Sequence, residues 1–334
     1  MNNFCTLFDS FYLDKGLALY NSLDKTSDDF KLYIFAFDEI CLEILLDLKL
    51  EKVEVISLKE FETEDLLKVK EDRTKAEYCW TCTPWVIKYV FDNYAIEMCT
   101  YIDADLYFFK SPKVLLDEIH DHDDSIIITE HRFKKDKYYT KNTDTYGKYC
   151  VEFNTFRNNS SGREALNWWA DRCLEWCFYK KDGNLLGDQK YLDDWTKNFK
   201  GVHELQNLGG GVAPWNLDQY SLRSSNDLDI HLIEKSTGQE FALIFFHFQN
   251  MRYITNDLIN IKSGTKNKSL KKAIYLPYLS EIEKIRIILA SKYSLSFTNQ
   301  KVCYSNPAIA FIQRNIMQFK CKSFSDIMKL NKFR

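Results

Sequence analysis

Two carboxylates one residue apart follow an apolar run: Met98-Cys99-Thr100-Tyr101-Ile102 leads into Asp103-Ala104-Asp105. Paired oxygen ligands of this kind hold a hard divalent cation, which keeps waters or ligand phosphates in its remaining positions. A second apolar run ends in Phe245-Phe246 and delivers His247 into polar sequence. Neutral imidazole is an acceptable ligand beside carboxylates for a Mn²⁺-like ion. Asp103, Asp105 and His247 are therefore the candidate ligands of Mn²⁺ or Mg²⁺, and the chemistry they offer is charge stabilisation on a phosphate.

Three further patterns could serve such a centre. Gly187-Asp188-Gln189 sets an acid beside an amide, a pair that binds sugar hydroxyls or steadies a developing positive charge. Asn207 to Trp215 reads Asn-Leu-Gly-Gly-Gly-Val-Ala-Pro-Trp. There Gly210 and Gly211 let backbone approach a ligand and Trp215 offers a ring for stacking. Asn250 and Arg252 follow His247, placing an amide and a cation where a diphosphate or an acceptor would lie. Haloacid-dehalogenase-type phosphatases also use an Asp-x-Asp, but they need a small Thr or Val where this chain has Tyr107, so that class is disfavoured. The pairs Cys79/Cys82 and Cys173/Cys177 have spacings that suit zinc, yet both fall in apolar helical patterns and read as buried thiols.

The elements that must position these residues alternate. Asn3 to Phe8, Lys31 to Phe37 and Lys52 to Ile56 read as strands, with helices over Lys15 to Leu23 and Ile40 to Leu48 between them. That order predicts βαβ units and a largely parallel sheet. A helical region is expected from about Thr63 to Tyr94, with Pro84 at a start or a break. Beyond it Met98 to Ile102, Ser125 to Thr129, Val151 to Phe156 and Phe241 to Phe246 read as strands, and Gly162 to Tyr179 as a helix. From about Asn256 the pattern is polar and mainly helical. In open α/β sheets ligands bind past the carboxyl ends of the strands, where Asp103 and Asp105 stand.

Composition bounds the rest. The chain has 334 residues, 45 Lys plus Arg against 48 Asp plus Glu, and a formal charge of −3, so no positive field gathers nucleic acid. With 45% hydrophobic residues, 11 Gly and 5 Pro, it is globular and not linker-rich. Asp9, Asp14 and Lys15 interrupt the first apolar stretch, so no secretory leader is expected, and ten cysteines then point to a reducing, cytoplasmic compartment. From residue 299 onward seven basic residues face Asp326 alone. Mixed with Phe319, Phe324, Ile327, Met328, Leu330 and Phe333, they suggest a tail resting on anionic lipid at the inner face of a membrane. A helical cap or a dimer contact suits the tail as well.

The ordered series Phe8-Asp9-Ser10-Phe11-Tyr12, Glu77 to Pro84, Asp103-Ala104-Asp105, Gly187 to Asp193, Gly211 to Leu217 and Phe246-His247-Phe248 resembles bacterial nucleotide-sugar glycosyltransferases of the GT-A fold, near glycosyltransferase family 8. The likeness covers about residues 3 to 253. It implies an α/β, Rossmann-like catalytic domain over 1–255, a mainly parallel sheet flanked by helices, with a mainly helical C-terminal extension over 256–334. It also implies that Thr6, Phe8, Asp9 and Tyr12 hold the base and ribose of a UDP-sugar, with Arg73 and Asp103 on the nucleotide's sugar-phosphate side. Asp103, Asp105 and His247 would bind the metal, while Asp188 and Gln189 would face the transferred sugar as catalytic residues. The function so implied is transfer to a glycan or lipid-linked acceptor in bacterial surface polysaccharide synthesis, with retention at the anomeric carbon. A protein-modifying effector and a non-catalytic nucleotide-sugar binder are the alternatives. The chain departs from the family pattern in two places: Gln249, Asn250 and Arg252 replace the Gly and Lys expected after His247, and Cys150-Val151-Glu152-Phe153-Asn154 replaces an Asn-Val-Gly type of strand.

Overall fold

The computed structural model describes residues 1–121, 124–255, 258–297 and 326–330. The chain opens with β1 (Asn2–Phe8), α1 (Leu13–Thr26), β2 (Phe30–Ala36), α2 (Glu39–Leu48) and β3 (Val53–Ser57). Short helices α3 (Leu58–Phe61) and α4 (Glu64–Lys70) precede α5 (Lys75–Asn93), followed by β4 (Met98–Ile102), β5 (Leu106–Phe108) and α6 (Lys113–Asp121). Next come β6 (Ile126–Glu130), α7 (Tyr139–Tyr146), β7 (Tyr149–Arg157), α8 (Ser160–Glu175), α9 (Trp195–Asn198) and β8 (Val202–Glu204). The remainder holds β9 (Tyr220–Asn226), β10 (Asp229–Glu234), β11 (Glu240–Ala242), β12 (Phe245–His247), β13 (Arg252–Thr255), β14 (Leu258–Asn260), α10 (Lys268–Tyr293) and β15 (Ile327–Lys329).

Seven strands form the central sheet in the order β3-β2-β1-β4-β7-β6-β8. All are parallel except β7, which runs antiparallel to both β4 and β6. The expected α/β architecture, a mostly parallel sheet flanked by helices, is thus present. Strands β1 and β2 are buried on both faces, which is why they read as near-continuous apolar runs. On one face Leu17 of α1, Ile44 of α2 and Tyr275 and Ile282 of α10 join the core; on the other Val86 and Val90 of α5 meet Leu166 and Trp169 of α8. The strand order reverses between β1 and β4, so their carboxyl ends open a crevice.

Local signals explain the helix starts near that crevice. Thr74 and Glu77 form a reciprocal cap that begins α5, and Asp38 caps α2 through the Cys41 N–H.

Several expectations need correction. The helical region expected over 63–94 is present as α4 and α5, but Pro84 lies in the interior of α5, not at a start or a break. The helix accepts the missing N–H because its capped start and the buried Val86, Ile87 and Val90 hold it. α8 stops at Glu175 instead of reaching Tyr179. Past it the Tyr179 N–H bonds the Glu77 carboxylate and the Gly187 N–H bonds the Phe178 carbonyl, which satisfies the backbone without a helix. The strand expected over 241–246 divides into β11 and β12, because the Ile244 and Phe245 N–H groups both turn to the Gly209 carbonyl. After residue 255 the described residues include, besides the long α10, the strands β14 and β15, which join β13 in a three-stranded antiparallel sheet. Of the basic tail, Lys301, Arg314, Lys320, Lys322, Lys332, Arg334, Phe319, Phe324 and Phe333 lie outside the described residues, whereas Met328 and Leu330 are buried. Among the described residues no helix is long and apolar enough to cross a membrane. The eight described cysteines are unbridged, and neither zinc-like pair forms a metal-holding group.

Candidate functional site

The strand β4 ends at Ile102, and the chain turns at once: the Asp103 N–H bonds the Glu152 carbonyl on β7 and the Leu106 N–H bonds the Asp103 carbonyl. β5 then pairs antiparallel with β12, with His247 opposite Leu106, and the Phe248 N–H donates to the Asp105 carbonyl. A third strand of contact comes from the glycine loop, where Val212 bridges to Phe246 and its carbonyl accepts the His247 N–H. These backbone bonds bring together groups 142 positions apart in the chain: His247 Nε2 lies 3.0 Å from Asp105 Oδ1 and 3.5 Å from Asp103 Oδ2.

The other imidazole nitrogen is also committed. Nδ1 bonds Glu152 Oε2 at 2.5 Å, and both side chains are buried. A ligating histidine commonly gives its second ring N–H to a carboxylate, which fixes the tautomer and turns the remaining lone pair toward the ion. One ligand atom from each of Asp103, Asp105 and His247 lies within 4.8 Å of the others, and the buried Glu152 Oε1 has no partner among the described residues. Two carboxylates, a correctly oriented imidazole and a supporting acid fit a Mn²⁺- or Mg²⁺-sized cation.

The electrostatics follow from crowding acids in a dry place. Burial pushes the Asp103 carboxyl up to about 6, a rise that His247 opposes and Asp105 reinforces. Burial and the Asp103 charge push Asp188 up to about 7. For Asp105, burial is outweighed by the His247 charge and hydrogen bond and by Lys15, so it stays below its ordinary value. Burial alone would lower His247, but Asp105 and the other partners hold it well above its usual range. Such opposed shifts are typical of a functional centre.

A cleft of about 610 Å³ opens over this cluster, lined among others by Phe8, Asp9, Tyr12, Asp103, Asp105, His247, Asn250 and Arg252. Asp9 organises the loop after β1: Oδ1 accepts the N–H groups of Phe11 and Tyr12 at 2.9 and 3.1 Å. Tyr12, 38% exposed, offers its ring to the cleft. Asn250 adopts a left-handed backbone, φ 64°, in the turn that leads to Arg252. Trp215 stands edge-on to the His247 ring, centroids 5.4 Å apart, with its indole N–H on the His131 carbonyl.

Other expected residues lie elsewhere. Thr6 is buried within β1 and Arg73 is bonded to the Leu174 carbonyl and stacked on Phe178; neither lines the cleft. Asp188 is buried beside Asp103 and Thr83, whereas the Gln189 amide turns to the Tyr146 carbonyl. Gly210 gives its carbonyl to Arg132, and Gly211, at φ 79°, lies under Glu152 and Thr129. They shape the floor behind His247.

Lys75 was not singled out from the sequence, and Trp80, Thr83 and Glu152 were named there without a site role, though the first three line the cleft and the last holds His247. α5 sets Lys75, Cys79, Trp80 and Thr83 along one wall at helical spacing. The signal available for Glu152 was an acid in the middle of an apolar strand, Tyr149–Arg157.

No family model matches the chain. Among solved structures it is similar to the galactosyltransferase LgtC in complex with donor and acceptor sugar analogs, at 13% identity and a TM-score of 0.48 over 74% of this chain and 87% of that one. It is also similar to mouse xyloside xylosyltransferase 1, at 14% identity and a TM-score of 0.45 over 75% of this chain and 98% of that one. In sequence it matches two proteins of Bacillus subtilis (strain 168): the uncharacterized protein YfnD, 29% identical over 287 residues, and the uncharacterized protein YfnF, 30% identical over 285 residues. Each match spans 84% of this chain and 89% of the relative. At that identity and coverage the chain belongs to the family of YfnF and YfnD.

Proposed function

We propose that the chain is a metal-dependent glycosyltransferase that takes its sugar from a UDP-sugar and passes it to a glycan acceptor. The observation that carries this reading is the convergence of Asp103, Asp105 and His247, with Glu152 orienting the imidazole, at the carboxyl edge of the sheet inside a cleft large enough for a nucleotide. Asp103, Asp105 and His247 would hold Mn²⁺ or Mg²⁺, which when bound offsets the charge of a departing diphosphate by several kcal/mol.

The chain's own residues supply the rest. Tyr12 presents a ring for the base, and Arg252 and Asn250 offer a cation and an amide to the same cleft. Breaking the anomeric C–O bond leaves its electron pair on the diphosphate oxygen, and the sugar carbon gains positive character. Asp188, held by Thr83 beside Asp103, supplies a carboxylate that stabilises that charge. The acceptor hydroxyl then forms the new C–O bond and passes its proton to the departing diphosphate oxygen; we assign entry on the face the diphosphate leaves, with retention of configuration.

The test is to incubate the protein with UDP-Glc, UDP-Gal, UDP-GlcNAc, UDP-GalNAc and GDP-Man, with Mn²⁺ or with excess chelator, and to follow released nucleoside diphosphate and the anomer of the sugar by NMR. Turnover of a UDP-sugar that needs Mn²⁺ and is lost in Asp105→Ala is expected. Full turnover in excess chelator ends the metal-dependent reading, and an inverted sugar at early times ends retention.

A further inference from the structure

At Nδ1, the imidazole nitrogen not turned to Asp105, a second donor set meets His247. Cys150 and Glu152 stand two apart on β7, so both side chains leave the same face of the strand. With His247 they bring a sulfur, an oxygen and a nitrogen within 4.8 Å of one another, and all three side chains are buried. The sugar-transfer reading uses Glu152 only through Oε2, which accepts from Nδ1 at 2.5 Å, and gives Cys150 no task. The other carboxylate oxygen, Oε1, is a buried acceptor with no partner among the described residues. Gly211 has no side chain to fill the space beside it: a Cβ there would stand 3.6 Å from Oε1.

This set is softer than the first. A thiolate selects a zinc-type ion, whereas two carboxylates and an imidazole suit Mn²⁺ or Mg²⁺. Three protein ligands with one open position is an ordinary zinc arrangement, with bonds of about 2.0–2.3 Å, so the His247–Glu152 pair opens as the ion replaces the proton between them. A neutral imidazole has one lone pair and one N–H. An ion on Nδ1 takes that lone pair, the N–H then sits on Nε2 and is donated to Asp105 Oδ1 3.0 Å away, and the thiol proton goes to solvent. The ring can serve one ion or the other. We propose that Cys150, Glu152 and His247 form a second metal site, for a thiophilic divalent ion such as Zn²⁺, whose occupation takes the imidazole away from the first. The exclusion rests on the reading of Asp103, Asp105 and His247 as the metal centre of a glycosyltransferase; the second site itself does not.

The test is titration of the full, reduced chain with Co²⁺, a zinc surrogate whose bond to a thiolate gives a charge-transfer band in the near ultraviolet. It is run on the wild type, Cys150→Ser, Cys150→Ala and Asp105→Ala, each checked for an unchanged ligand-free melting temperature. The band is expected in the wild type and in Asp105→Ala and should be lost in both Cys150 variants, of which the alanine keeps the place apolar. Saturating Mn²⁺ should raise the cobalt midpoint of the band by at least about tenfold in the wild type, the order of effect that the orientation of a ligating imidazole has on metal affinity, and should leave it in place in Asp105→Ala. Absence of a thiolate band in the wild type, or a band of full strength in both Cys150 variants, overturns the second site. A wild-type band that keeps its midpoint while paramagnetic resonance shows Mn²⁺ bound overturns the exclusion. A Cys150-dependent band in a chain that fails to bind Mn²⁺ at all upholds the second site and ends the metal-dependent reading of the transferase instead.

Discussion

Glu152 touches no solvent, yet through His247 Nδ1 it decides what the imidazole presents to Asp103 and Asp105. Replacing Glu152 by Gln keeps the shape and removes the charge that favours an Nδ1–H donor. Such supporting partners are worth about 10–100-fold in metal affinity. Mn²⁺ titration of Glu152→Gln should show a loss of that size with an unchanged far-ultraviolet circular dichroism spectrum; unaltered affinity would reduce Glu152 to a packing residue. The proton balance at the same cluster gives a second expectation. Burial keeps a proton on Asp103 up to about 6, and a cation needs the deprotonated carboxylate and a neutral imidazole nitrogen. Affinity for Mn²⁺ should therefore rise with pH, climbing by roughly tenfold or more per unit below about pH 6 and still rising once Asp103 has lost its proton, because His247 holds its own well above the usual imidazole range. Titrations in steps from about pH 5 to about pH 7.5 check the sign. Affinity that falls as pH rises would place the ion elsewhere.

The elements that deliver these residues were legible where the signal is local. An apolar run ending in Asp103-Ala104-Asp105 announces a strand and its turn, and β1, α1, β2, α2 and β3 follow the alternation of their apolar residues. Glu152, Lys75 and Thr83 were not legible, because each gains its role from a partner far away in the chain: His247, Asp9 and Asp188 respectively. The split between β11 and β12 is equally non-local, since it depends on the Gly209 carbonyl receiving two N–H groups. Gly209 also has no room for a side chain, as an added Cβ would meet the Ala242 carbonyl oxygen at 2.2 Å. Gly209→Ala should cost about 1–3 kcal/mol, the usual penalty of forcing atoms into a packed place, and should weaken Mn²⁺ binding because β12 carries His247. Thermal melting with a parallel metal titration measures both. A stable variant with full metal affinity would mean that the glycine loop does not set the position of β12.

At the scale of the molecule, the polar composition after about residue 256 suggests an extension attached to a finished catalytic domain, but the packing of α10 has a different consequence. Leu270, Ile274, Tyr275, Tyr278, Leu279 and Ile282 are buried in the same core as Phe4 of β1 and Leu19 of α1. Tyr278 stacks on Phe248, one residue past His247, with ring centroids 3.7 Å apart, and Tyr275 meets Phe246 edge-on at 5.4 Å. Asn21 and Lys25 of α1 both bond Glu281. The helix was not readable as core because its apolar residues are diluted by lysines, glutamates and two tyrosine-bearing turns, so composition reports solvent where geometry reports contact. Each fully buried large side chain is worth about 1.5–3 kcal/mol, and a domain's whole net stability is about 5–15 kcal/mol. Removing six of them at once therefore exceeds what the remainder can lose. A chain ending at Thr255 should fail to give a cooperative melting transition and should bind a hydrophobic dye, even though every proposed metal ligand is still present. Leu279→Ala in the full chain is the graded version: a loss of about 2–5 kcal/mol with the transition still cooperative. A shortened chain that melts cooperatively near the full-length temperature and still binds Mn²⁺ would show that the α/β core stands without α10.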